Sequence, residues 1–153
     1  MLLELLSSMH NHGNCRFYNR VKEYSVAELA AFHGHLGPYI VIGYRIGRYA
    51  REHFCNDPFE LHATIYCTGK PPESCIVDGV QLGSGCTFGK RNIEIVQSPG
   101  LRCEFAANGR TLVATPKPET KRPGSGHSEA EVERFAEEIS YWRDDQIFDI
   151  RVK

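Results

Sequence analysis

Two histidines separated by one residue stand in the segment FHGHLGPYIVIGYRIG, which runs from Phe32 to Gly47. A helix is expected to begin at Pro38, because proline suits the first turn of a helix, where its missing N–H would have had no partner. His33 and His35 would then lie in a tight turn just before that helix. Histidine nitrogen is a common zinc ligand, so the pair predicts a metal site. The other interpretation is two exposed polar residues of a turn.

Further groups that could complete such a site lie in the segment KPPESCIVDGVQLGSGCTFGK, from Lys70 to Lys90, where Cys75 and Cys86 flank Asp78 and Gln81. The amino end of a helix carries free N–H groups and partial positive charge, which favour an anion over a bare cation. A metal in the histidine turn would therefore need a thiolate or carboxylate ligand. Zinc accepts mixed nitrogen and sulfur ligands, so the two cysteines are candidate ligands.

Cys75 has a context that the other cysteines lack. It follows two prolines and precedes a short apolar run, so we expect it at the amino end of a helix, where the pKa of a thiol falls. The alternative is that free cysteines are small buried apolar residues, which is our interpretation of Cys15, Cys55 and Cys103. None of the six cysteines forms a C-x-x-C pair, so the spacing typical of a structural zinc knuckle is missing.

Length, charge and hydropathy exclude several classes of function. A chain of 153 residues has the length of one ordinary domain. Its 18 basic and 19 acidic residues are spread along the chain, so we expect no nucleic-acid partner and no binding to an anionic membrane. No apolar run reaches the ~18 residues of a transmembrane helix, and the amino-terminal MLLELLSSM lacks the basic start of a signal peptide. We therefore expect a soluble, cytoplasmic protein with reduced thiols.

The elements that would position the candidate residues can be predicted from capping and periodicity. Ser25 with Glu28 forms a capping box, which predicts a helix from Val26 to about residue 33 or 34. The second helix should run from Pro38 to about Phe54. Within it, small residues one turn apart would let another backbone approach closely, and three arginines form a polar side. The small residues are Gly43, Gly47 and Ala50, and the arginines are Arg45, Arg48 and Arg51.

The remaining sequence predicts a sheet. Apolar and polar residues alternate from Phe59 to Cys67, as in a half-buried strand. Two prolines and four glycines make the segment from residue 70 to 90 the part least like a structural scaffold. Three further strands should form a meander whose second turn is a type I′ hairpin at Asn108-Gly109. These strands cover Ile93–Ile95, Leu101–Phe105 and Thr111–Thr115.

The carboxyl-terminal part predicts a mobile loop at about residues 116–127, a helix capped by Ser128 and Glu131, and a strand at Ile147–Val152. Together these elements predict an α+β fold with two layers, in which helices pack on a mainly antiparallel sheet. Residues 1–24 would form an amino-terminal arm and residues 25–153 a single core domain. A homodimer would cover an edge or face of such a sheet.

Three stretches, FHGHLGPY, GYRIG and PPESCIVDGVQLGSGCTFGKRNI, together resemble the E-subunit family of formylmethanofuran dehydrogenase over roughly Val26 to Ile150. The resemblance implies an α+β core that forms intertwined homodimers. It also implies a single cleft that could take a small anionic or pterin-like ligand in one-carbon metabolism. The cleft residues implied are His33, His35, Cys75, Asp78 and Cys86, and the nearby ligand-binding residues are Gln81, Thr87, Lys90 and Asn92.

The chain departs from this family's pattern at two places. Many relatives read His-Leu-Cys-Pro-Gly where this chain has Gly37 between Leu36 and Pro38, so a thiol at position 37 is absent. Some relatives carry a carboxyl-terminal module with four zinc-binding cysteines, whereas this sequence ends at Lys153 without one. The family name refers to the enzyme that reduces carbon dioxide onto methanofuran, in which members of this family resemble accessory subunits.

These observations lead to three hypotheses. In the first, His33, His35 and Cys75 bind a divalent metal, with zinc favoured by the composition of the ligands, Cys86 as a further ligand, and Asp78 and Lys90 around the site. In the second, a metal-free module captures a small anionic molecule with a helix amino end and Lys90. In the third, the protein is an assembly subunit of a molybdenum or tungsten dehydrogenase complex.

Overall fold

Helices and strands alternate along the part of the chain that this computed structural model describes, residues 12–121 and 126–153. The α-helices of this part are α1 (Val26–His33), α2 (Pro38–His53), α3 (Ile76–Ser84), α4 (Glu129–Ser140) and α5 (Asp144–Ile147). The strands are β1 (His62–Cys67), β2 (Ile93–Gln97), β3 (Arg102–Ala107), β4 (Arg110–Pro116) and β5 (Phe148–Val152). Short 3-10 helices cover Glu73–Cys75 and Pro118–Lys121. The predicted α+β class is confirmed.

The five strands form one sheet in the order β2-β1-β3-β4-β5. Of these strands, β1 and β2 pair in parallel, and the other neighbours are antiparallel. The predicted meander is therefore wrong at its first step, because β1 lies between β2 and β3. The reason is that α3 connects β1 to β2, and a crossover through a helix joins parallel strands. The hairpin at Asn108-Gly109 is confirmed, with φ angles of 55° and 74° at these residues.

Local capping predicted the helices α1 and α4 correctly. Ser25 accepts a hydrogen bond from the backbone N–H of Glu28, whose carboxylate accepts one from the Ser25 backbone. Ser128 and Glu131 form the same reciprocal pair at the start of α4. These bonds satisfy N–H groups that have no partner within the helix, so they set where the chain begins to coil.

The first strand begins later than the alternating pattern predicts. The predicted strand starts at Phe59, but residues 57–61 form a turn in which the Asp57 side chain accepts a hydrogen bond from the Phe59 N–H. The Leu61 N–H also bonds to the Asp57 carbonyl oxygen. This turn uses the backbone groups that a strand would need, so β1 starts at His62.

The glycine-rich segment is scaffold, contrary to the sequence-based interpretation. Residues 76–84 form α3, which packs on α2 so closely that glycines of the two helices face each other's backbone. A Cβ atom at Gly47 would lie 2.8 Å from the Ser84 nitrogen, and one at Gly83 would lie 2.7 Å from the Arg48 nitrogen. The close approach predicted at Gly43 and Gly47 is confirmed, and the approaching element is α3.

Arg45 and Arg51 do not lie on a solvent-exposed face of α2. Arg45 donates two hydrogen bonds to Asp144 Oδ1 and one to the Ser140 carbonyl oxygen, so it ties α2 to the end of α4 and to α5. Arg51 is 9% exposed because the arm covers it. A helix side can therefore be polar and still buried when other elements supply its partners.

Residues 12–24 of the predicted arm lie against the turn that precedes β1. Tyr18 donates a hydrogen bond to Asp57 Oδ2 at 2.6 Å, and the Asn19 side chain donates to the Asn56 carbonyl oxygen. The hydrogen bond to Asp57 is the main reason that the pKa of Tyr18 is raised to about 12. Residues 1–11 of the arm, and residues 122–125 of the predicted loop, lie outside the described residues. None of the described helices is both long enough and apolar enough to span a bilayer.

Candidate functional site

The two histidines lie on either side of a sharp turn between α1 and α2. Gly34 ends α1 in the left-handed conformation with φ of 101°, which glycine adopts without steric cost. The chain then turns back before Pro38, the first residue of α2. This turn brings the rings of His33 and His35 together, with their centroids 5.0 Å apart. The predicted position of the pair before a helix amino end is confirmed.

Each of the two imidazoles is held by a carboxylate from another helix. The Nδ1 atom of His33 lies 2.6 Å from Asp78 Oδ2, and the Nδ1 atom of His35 lies 3.1 Å from Glu129 Oε1. The His33 side chain is 12% exposed, whereas that of His35 is 48% exposed. The inner pair is therefore shielded from water and the outer pair is not. We call these four residues the histidine–carboxylate cluster.

Cys75 lies next to this cluster, at the position predicted for it. It is the residue before the first turn of α3, and Asp78 follows within that turn. Its predicted low pKa is wrong, because burial raises the pKa of the thiol and the negative charge of Asp78 raises it further. The helix amino end does not outweigh these two effects, so the thiol form is favoured without a bound cation.

The other predicted residues form a second group near the carboxyl end of α3. Asn92 is 5% exposed; its oxygen accepts from the Thr87 N–H, and its nitrogen donates to the carbonyl oxygens of Pro58 and Leu61. Cys86 is fully buried, its Sγ donates to the Leu61 oxygen at 3.2 Å, and burial raises its pKa to about 11. These side chains hold the loop after α3.

Three further residues of this second group line a cavity. Gln81, Thr87 and Lys90 lie on its wall, and the Lys90 Nζ atom donates to Thr87 Oγ1 at 2.8 Å. The histidines and Cys75 are not among the described residues that line it. The single cleft expected from the sequence is therefore divided into the histidine–carboxylate cluster and this second group.

Glu129 is a site residue that no pattern in the sequence reveals. It lies 94 positions after His35, and the sequence predicts only that it belongs to the first turn of α4. Nothing in the local sequence connects it to the histidine turn. In the described residues, no three His, Cys, Asp or Glu side chains are already arranged around one centre, so a metal would use two imidazoles and draw in a further ligand.

A mainly antiparallel sheet covered by helices, with carboxylate-held histidines where three helices meet, defines an α+β protein with a histidine site. A family model described as FmdE, molybdenum formylmethanofuran dehydrogenase operon, matches residues 32–149. The chain belongs to this family. The match contains His33, His35, Cys75 and Asp78, and also the whole of α4 with Glu129.

A solved structure has the same fold. It is the crystal structure of a tungsten formylmethanofuran dehydrogenase FmdE-like protein from Syntrophus aciditrophicus, with a TM-score of 0.55 and 19% sequence identity. The alignment covers 88% of this chain and 74% of that chain. A search of curated proteins found no match.

Proposed function

We propose that this protein is an FmdE-type accessory protein that binds zinc or a similar divalent metal through His33, His35 and Cys75. The family's association with a molybdenum formylmethanofuran dehydrogenase operon supports an accessory role. In this role the protein would act beside a molybdenum or tungsten dehydrogenase rather than carry out its redox chemistry. Asp78 and Glu129 would orient the two imidazoles rather than bind the metal themselves.

The observation that carries this proposal is that carboxylates occupy the Nδ1 side of both histidines. In the described residues, neither Nε2 atom has a hydrogen-bond partner. A histidine that binds a metal through one ring nitrogen usually donates its other N–H to a carboxylate or carbonyl, which fixes the tautomer and the ring orientation. Two adjacent rings prepared in this way fit a metal ion.

The remaining ligand fits the same metal. Cys75 precedes Asp78 by one helical turn, and the field of that carboxylate reaches its sulfur. A zinc ion would favour the thiolate of Cys75, which is otherwise kept as a thiol. When bound by three protein ligands, zinc supplies Lewis acidity and keeps a fourth position for water or a small ligand.

The test is metal analysis of protein purified without added metal, together with zinc titration of the metal-free protein. We expect about one zinc per chain, and loss of at least about tenfold in affinity for His33→Ala and for Cys75→Ser. Asp78→Asn should weaken binding by about tenfold or more, because His33 loses its charged partner. His53→Ala is the matched control, since this histidine ends α2 and is exposed. Unchanged zinc content in both ligand variants would refute the assignment.

Gly37→Cys provides a test in the opposite direction. A Cβ atom at Gly37 would lie 3.3 Å from the Cε1 atom of His35, and its φ of −137° suits any residue. A thiol at this position therefore stands beside the proposed metal ligands. We expect the variant to bind zinc at least about tenfold more tightly than the natural protein, because thiolate is a strong zinc ligand. Affinity unchanged by this variant would place the metal elsewhere.

Two other roles remain candidates. In the first, the protein binds a small anionic molecule without a metal, which the basic residues around Lys90 support. In the second, it is an assembly subunit that also forms a homodimer, and the exposed Ile95 and Val96 on the edge strand β2 support a protein interface. Pull-down from native extract, followed by identification of the captured proteins, tests the assembly role. Light scattering of the purified protein tests the dimer.

A further inference from the structure

A cavity of about 300 Å³ lies where the arm meets the carboxyl ends of α2 and α3. Among the residues on its wall are Asn19, Arg20 and Lys22 of the arm, Arg51 of α2, and Thr87 and Lys90 of the loop after α3. None of the described residues that line the cavity is Asp or Glu. All of its charged side chains are therefore cations, which favours an anionic occupant.

Arg51 is a buried cation without a carboxylate partner. It is 9% exposed, its Nη2 atom donates to Asn19 Oδ1, and its Nε atom is buried with no hydrogen-bond partner among the described residues. Asp57 acts on it only from beyond ion-pair distance and is itself bonded to Tyr18. Buried charges are normally paired, because removal of an unpaired ion from water is costly. An anion in the cavity would supply the missing partner.

Lys90 is a second cation close to the first. Its ammonium donates to Thr87 Oγ1 and lies 5.6 Å from the centre of the Phe59 ring. Burial lowers the pKa of Lys90, and the positive charge of Arg51 lowers it further. The two cations are therefore near enough to repel each other, and an anion between them would relieve that repulsion.

We propose that this cavity binds the phosphate group of a small organic molecule, held by Arg51 and Lys90. A phosphate dianion neutralises both cations, whereas a carboxylate neutralises only one. The planar guanidinium of arginine also matches the geometry of phosphate oxygens, and the ammonium of lysine is a common phosphate ligand. The volume is at the lower end of small-molecule sites, so it has room for more than the phosphate group alone.

The cavity includes residues that the family match does not cover. Asn19, Arg20 and Lys22 precede residue 32, where that match begins. The inference gives a ligand class to the small-molecule role named above, and it does not depend on a bound metal. Failure of one proposal therefore leaves the other open, because the two are measured separately.

The test is calorimetric titration of metal-free protein with sodium phosphate at constant ionic strength. We expect saturable binding of one phosphate per chain with a Kd at or below about 1 mM. Sulfate, a dianion of similar shape, should compete. Acetate should bind at least about tenfold more weakly, because it neutralises only one cation. Absence of saturable heat, or equal binding of acetate and phosphate, would overturn the proposal.

Three variants locate the binding site. Arg51→Met and Lys90→Met should each weaken phosphate binding by at least about tenfold, whereas Arg48→Met should change it by less than about twofold. Arg48 is the matched control, since it lies one turn earlier on α2 and pairs with Glu52. If Arg51→Met does not fold, Lys90→Met decides, because Lys90 is only partly buried. Natural affinity in the Lys90 variant would exclude this cavity as the phosphate site.

Discussion

Replacement of Gly79 by alanine is expected to destabilise the protein by about 3 kcal/mol, although alanine is the better helix former. A Cβ atom at Gly79 would lie 2.5 Å from the Tyr44 nitrogen and would also overlap the Ile40 carbonyl oxygen. These are backbone atoms of α2, so no side-chain rotation can relieve the clash. The helices must separate, and the packing between α2 and α3 is lost. Urea denaturation followed by circular dichroism measures the change in the free energy of unfolding.

Gly100→Ala is the control for this prediction. Gly100 has no neighbouring heavy atom within 4 Å of an added Cβ, and its φ is not in the left-handed region. Its substitution should leave stability unchanged or raise it by up to about 1 kcal/mol, because alanine reduces the entropy of the unfolded chain. If Gly79→Ala is as stable as Gly100→Ala, the close contact between α2 and α3 is wrong.

Asn92→Ala is the second substitution for which we expect a large effect, a loss of about 3 kcal/mol in the free energy of unfolding. The Asn92 amide bonds to one backbone N–H and two carbonyl oxygens in the interior. Alanine leaves these groups without their partner, and each buried unsatisfied group costs about 1–3 kcal/mol. Partial compensation is expected at Leu61, whose carbonyl oxygen also accepts from Cys86. Urea denaturation is again the measurement.

Asn56→Ala separates this effect from a general effect of losing asparagine. Asn56 is exposed, and its backbone oxygen, which alanine retains, accepts the hydrogen bond from the arm. Its substitution should change stability by less than about 0.5 kcal/mol. A loss below about 1 kcal/mol for Asn92→Ala would show that this amide is not essential to the loop, and would favour the role in ligand binding that the family resemblance implied.

Local signals in the sequence predicted most of the helix boundaries. Each capping box joins residues three positions apart, as Ser25 and Glu28 do, so the information needed to start the helix lies within one turn. The same holds for the hairpin at Asn108-Gly109, where both residues adopt the positive φ that the turn requires. These features could be predicted because they do not depend on the rest of the chain.

The helix α3 shows why a local pattern can mislead. Its glycines suggested a loop, because glycine in an isolated helix is unfavourable by ~1 kcal/mol. In the folded protein Gly79 and Gly83 allow contact with the backbone of α2, and the packing of the two helices outweighs that cost. The sequence indicated that α2 would be approached closely, but the approaching helix could be known only from the tertiary structure. The position of β1 between β2 and β3 likewise depends on where α3 packs.

The site divides along the same line between local and distant contacts. The sequence by itself determined that His33 and His35 share a turn between two helices, because Gly34 and Pro38 shape that turn locally. Tertiary structure decided which carboxylates hold the two rings, since the two partners lie 45 and 94 positions away. It also buried Arg51 beside the arm. Such contacts between distant residues arise from the packing of whole helices, and no short pattern in the sequence specifies them.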